Sequence, residues 1–99
     1  MNLEDGYPTE EELGNIKSWD MGDLHGLMEY IMDYWKIWGS FSREGDIYTL
    51  ATGGWSGNED IIGAMQENIM FWALYWYSSS RGGKHVFAPC TRENIARLA

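Results

Sequence analysis

Between Asp20 and Trp38 the apolar residues Leu24, Leu27, Met28, Ile31, Met32, Trp35 and Trp38 recur at the spacing of a single helical stripe. The pattern predicts a helix over 20–38, with Asp20 as N-cap and Gly39 as stop, and with Asp23, Glu29, Asp33 and Lys36 off the stripe. Tyr30, Tyr34 and Ile37 widen the apolar surface beyond one stripe. Such a helix either inserts deeply into a core or shows an aromatic flank to a partner, and the burial preference of large apolar side chains favours insertion. A core is affordable here but small, because 99 residues make one domain at most.

The rest of the chain supplies elements to cover that helix. Thr9-Glu10-Glu11-Glu12 is a capping box that opens a short helix over 9–18, and its acidic first turn complements the helix dipole. Residues 1–8 are expected to form a loosely ordered arm. Phe41 to Gly45 has the composition of a turn, and 46–52 that of a strand in which Ile47, Thr49 and Ala51 oppose Tyr48, Leu50 and Thr52. Gly53 to Asp60 predicts a tight loop, and Ser56-x-x-Glu59 a second capping box starting a helix over 58–68. The apolar run 69–77 fits either the tail of that helix or a buried strand, and its aromatic content favours the strand. Ser78 to Gly83 supplies turn chemistry, 84–88 a hairpin partner ended by Pro89, and 91–98 a last helix capped by Thr91. The expected fold class is α+β, a single domain with about three antiparallel strands and two or three helices packed on one face.

Charge is distributed unevenly along this scaffold. The net charge is −8, yet residues 1–67 hold fourteen acids against Lys17, Lys36 and Arg43, while residues 68–99 hold four cations against Glu93 alone. An excess of acid argues against gripping nucleic-acid phosphates or an anionic membrane, and an asymmetry of this size points to an electrostatically selected partner. One cysteine, Cys90, cannot form an internal disulfide, and the first residues lack a signal-peptide pattern. A cytoplasmic location is the resulting expectation, with Cys90 semi-buried.

Candidate sites divide into those that fail on chemistry and those that survive. Gly53-Gly54-Trp55-Ser56-Gly57 lies between a strand and a helix, but no Gly-Lys-Ser/Thr follows and Asn58-Glu59-Asp60 places negative charge where a phosphate would sit. His25 with Glu29, and His85 with Cys90, fall short of a metal ligand set, and His85/Cys90 lacks an orienting group for nucleophilic catalysis. Neighbouring pairs such as Glu59/Asp60 diverge on a helix and do not converge on one substrate. No catalytic residue, cofactor or metal is expected. Arg81 and Lys84 beside Trp76 and Tyr77 make a small basic-aromatic patch, too slight for single-strand binding. What survives is surface recognition: Asp20, Asp23, Glu29 and Asp33 with Tyr30 and Tyr34 as an acidic, aromatic face, and Trp55 as either a lid on the core or an exposed anchor. Carboxylates arrayed on a small scaffold can complement a Lys/Arg-rich cleft that normally holds nucleic acid.

The string Thr52-Gly53-Gly54-Trp55-Ser56-Gly57-Asn58-Glu59, continued by Phe71-Trp72-x-Leu74-x-Trp76 and Ser79-Ser80-Arg81-Gly82-Gly83, resembles a pattern found in small accessory proteins of tailed phages and prophages. The resemblance carries no catalytic residues. It implies a phage accessory protein and, by analogy, an inhibitor of host nucleic-acid-handling defences of the restriction or CRISPR type, acting in the host cytoplasm. The expected partner is then a basic surface of a host nuclease or nucleoprotein complex, engaged by the acidic face of a monomer or homodimer without direct contact to nucleic acid or membrane. The competing expectation is a structural or assembly protein that self-associates through exposed aromatic residues.

Overall fold

Thr9 opens the first helix as its side chains dictate: the Glu12 amide donates to Thr9 Oγ1 at 3.1 Å and the Thr9 amide to Glu12 Oε1 at 2.8 Å. The computed structural model describes residues 7–35 and 39–98. Along them run α1 (Glu10–Lys17), α2 (Leu24–Met32), β1 (Ser40–Glu44), β2 (Ile47–Ala51), α3 (Ser56–Glu67), α4 (Ile69–Tyr75), β3 (Trp76–Ser80), β4 (Lys84–Phe87) and α5 (Arg92–Leu98). All strand pairs are antiparallel, in the order β1-β2-β4-β3.

Alternation along the strands sorts the core into two parts. Tyr48, Leu50 and Phe87 join Ile16, Leu24, Leu27, Met28, Ile31, Ile61, Met65 and Phe71 in the main cluster, beneath α1 to α4. Their neighbours Ile47 and Val86 point the other way and, with Ala88, meet Leu98 of α5. The face expected to carry every helix therefore carries four of the five, and α5 covers the opposite face.

The α+β class holds, while the element counts differ: four strands and five helices stand among the described residues. Ser40–Glu44 is a strand and not a turn, because register with β2 from Ser40↔Ala51 to Glu44↔Ile47 supplies what its weak β propensity does not. The run 69–77 is neither a helix tail nor a strand but both. Asn68 ends α3 and caps α4, accepting from the Phe71 amide at 3.4 Å, and Trp76 turns extended to enter β3. Ser78 to Ser80 belong to β3, since Gly82 and Gly83 at positive φ confine the turn to three residues. Gly83 also presses on Thr52, and a Cβ there would collide with Thr52 Oγ1.

Two helix starts shift as well. α2 begins after Asp23, whose carboxylate takes the Gly26 amide at 3.1 Å, because Asp20 is engaged in a turn of its own with the Gly22 amide at 3.0 Å. α3 begins at Ser56 with Trp55 as N-cap and no side-chain cap bond, so the second capping box does not form. The expected 20–38 helix also ends early, at Met32, where Asp33 and Tyr34 turn the chain; Lys36, Ile37 and Trp38 lie outside the described residues, as do Glu4 and Asp5.

Candidate interaction surface

The expected acidic face is built on α2, and the fold divides it. Toward α1, Trp19 Nε1 donates to Asp23 Oδ2 at 3.1 Å and the Trp19 and Tyr30 rings lie 5.0 Å apart. Asn15 Nδ2 donates to the Tyr30 hydroxyl at 3.1 Å, and the Tyr30 and Tyr34 rings follow at 5.1 Å. Loss of water pushes the Tyr34 hydroxyl up to about 12, with the neighbouring Tyr30 hydroxyl and Glu12 carboxylate adding to the rise. Asp23, Tyr30 and Tyr34 thus form a ladder that seals α2 against α1, and their chemistry is occupied within the fold.

The remaining residues of that face lie elsewhere. Glu29 faces the sheet side of α2, lining a small groove of about 180 Å³ with Met28, Met32, Phe41, Arg43 and Tyr48. Arg43 there sits 5.3 Å from the Tyr48 ring centroid, and Tyr48 shares a 2.5 Å hydrogen bond with His25 Nδ1. Burial raises the Tyr48 hydroxyl, Arg43 opposes that rise, and Glu29 and Asp46 add to it. Asp33 is exposed one turn beyond Glu29, and Asp20 is exposed at the turn before α2. Trp55 is half-buried at the start of α3, between Gly57 and the stacked ring of Tyr7 at 4.9 Å, and the Tyr7 hydroxyl reaches Ser56 Oγ at 2.9 Å.

A different surface exposes what a core ordinarily hides. α4 is apolar at all seven positions, yet Phe71 is its one buried residue. Ile69 is 73% exposed, Met70 56% and Leu74 45%, and Trp76, Tyr77 and Ile95 are exposed beside them. Helices apolar on every side are normally enclosed, so this one marks a surface waiting for cover. Between α4, the start of β3 and α5 runs a groove of about 330 Å³, lined by Ala73, Leu74, Tyr77, Pro89, Cys90 and Ile95 among others. Cys90, expected semi-buried, is exposed there, because Pro89 carries the chain beyond the end of β4 before α5 begins.

Sequence reasoning selected Trp76 and Tyr77 only as part of a slight basic patch and passed over Ile69, Met70, Leu74 and Ile95. The signal was present: a cap at Asn68 followed by seven apolar residues leaves no polar stripe to face water. No family model, curated protein or solved structure matches the chain.

The glycine-rich loop after β2 and the β3–β4 hairpin meet on another flank. Thr52 receives the Gly54 amide at Oγ1, and the Trp55 amide and Asn58 Nδ2 at its carbonyl, while its own amide donates to the Gly83 carbonyl at 3.1 Å. Trp76 Nε1 donates to Ser79 Oγ at 2.8 Å, and Ser79 Oγ lies 2.7 Å from His85 Nδ1. Burial holds His85 below the ordinary imidazole range. These bonds tie the loop after β2 to the β3–β4 hairpin. Among the described residues no three His, Cys, Asp or Glu side chains converge as a metal site, and no helix is long and apolar enough to cross a membrane.

Proposed function

We propose that this is a non-catalytic phage accessory protein that works by protein–protein assembly through the α4–β3–α5 face. The carrying observation is the exposure of Leu74, Trp76, Tyr77 and Ile95 around one groove, with Ile69 and Met70 exposed at the start of the same helix. An aromatic and aliphatic centre of this kind is the usual anchor of a protein interface. Affinity capture from phage-infected cells tests the proposal, using the wild-type chain, Leu74→Asp, and the double variant Glu29→Lys/Asp33→Lys. Loss of captured protein with Leu74→Asp and its retention with the double variant supports assembly through the apolar face. Retention with Leu74→Asp rejects it.

A second reading keeps the acidic half as the docking surface for a basic cleft of a host nuclease or nucleoprotein. It is favoured by Glu29 and Asp33, exposed carboxylates one turn apart on α2 that take no part in the seal against α1. Binding of that kind weakens steeply with salt, whereas apolar association persists or tightens. The capture experiment repeated at low and high salt separates the two.

A further inference from the structure

The sheet has two edges, β1 and β3, and they are built differently. β1 ends in Arg43 and Glu44, charges of the kind that discourage a second chain from adding to an edge. β3 reads Trp-Tyr-Ser-Ser-Ser, with neither charge nor proline. Its irregularity is confined to one end, between Trp76 and Ser78, and Ser78 to Ser80 pair in plain register with Val86, His85 and Lys84. The other side of β3 offers its backbone to an incoming strand.

The apolar groove opens beside that free edge, and the electrostatics around it suit one occupant above others. In a chain of net charge −8, two copies repel across almost any pair of surfaces. Residues 68–98 are the exception, with Glu93 as their one carboxylate. β3 is also complementary to itself: the aromatic residues Trp76 and Tyr77 stand at one end and Arg81 follows the other. An antiparallel two-fold axis at Ser79 brings each copy's Arg81 opposite Tyr77 of its mate, the arrangement that a guanidinium and an aromatic face favour.

We infer that the α4–β3–α5 face is a two-fold homodimer interface, in which two β3 edges pair antiparallel into one eight-stranded sheet and the apolar grooves cover each other. This rests on the assembly reading above and names the partner as a second copy of the chain. The strand edge sets direction and register, and the groove supplies the buried area that an edge alone lacks.

Sedimentation of the full chain over a range of concentrations, with amide hydrogen exchange on the same samples, tests it. The wild type should reach a dimer that high salt leaves intact, with alternate amides along 77–80 protected on the free side of β3. Leu74→Asp and, separately, Ile95→Glu should weaken dimerisation on the order of 100-fold and release those amides, since each buries a charge in the interface. Both positions are exposed, so circular dichroism should show the fold unchanged. A wild type that stays monomeric at every concentration overturns the dimer, while Leu74-dependent capture of another protein would leave the assembly reading standing. A dimer that survives both variants, or one in which the β3 amides exchange freely, overturns this interface.

Discussion

α2 and α4 are both short, strongly apolar helices flanked by aromatic residues, and the fold treats them in opposite ways. α2 buries Leu24, Leu27, Met28 and Ile31, and the half-buried Tyr30, with Tyr34 just past the helix, meets Asn15 and Glu12 of α1 and Trp19 beyond it. α4 buries Phe71 alone. Composition does not separate the two cases, but cover does: Tyr30 and Tyr34 beside α2 meet side chains of α1, whereas α5, which lines the groove beside α4, packs its Leu98 on the far face of the sheet. The carboxylates that draw attention in the sequence are partly committed to caps and seals, and the unclaimed surface is apolar.

The contrast breaks most sharply at Phe71. Phe71→Ala removes the one fully buried side chain of α4, leaving Trp72 and Tyr75 half-buried against the core, and should cost about 3–5 kcal/mol, read as a large drop in the denaturation midpoint. Leu74→Asp, three residues on, should leave that midpoint within about 0.5 kcal/mol of wild type. Asn68→Ala comes next. It removes the α4 cap and leaves the Ile16 and Trp19 carbonyls without the donor that now reaches them at 3.1 and 3.0 Å, a loss of roughly 2–3 kcal/mol by chemical denaturation. Asp23→Ala, which deletes the α2 cap and the Trp19 partner, should cost about 1 kcal/mol.

The smallest effects separate the two regions by pH. His85 is held below the ordinary value of 6.5, so the unfolded chain takes up the proton first. Stability is full above about pH 6.5 and falls on acidification, with a shallower fall in His85→Gln. Tyr34 stands at about 12 against an ordinary 10.0, so the unfolded chain loses its proton first and stability declines as pH rises past 10. Melting curves of Tyr34→Phe should show a shallower alkaline decline, the remainder coming from the raised Tyr48 hydroxyl, and keep the acid one.

Local chemistry was legible wherever it was self-sufficient. The Thr9 capping box, the first four members of the α2 stripe, the alternation of β2 and the Thr91 cap of α5 all follow from neighbours in sequence, whereas Met32 of that stripe is exposed. Features that depend on distant partners were not. β1 exists because β2 pairs with it, and Asp23 displaces Asp20 as the cap because a turn occupies Asp20 first. The split of 69–77 into helix and strand needs both the Asn68 cap and pairing with β4. The division of the acidic residues between the α1 seal and the Arg43 groove has the same origin. Helical spacing places Glu29 and Tyr30 on one element without saying which neighbour each will meet.

Asn68 has a bearing on how the chain comes into being. Its side chain joins the start of α4 to carbonyls 52 and 49 residues earlier, at the end of α1 and just beyond it. During synthesis those carbonyls emerge long before their donor, and the cap of α4 is made by the same amide that closes on them. The end of α1 and the start of α4 are therefore joined by one side chain, late in translation. A truncated chain released before that residue lacks both the α4 cap and the donor that closes on the Ile16 and Trp19 carbonyls.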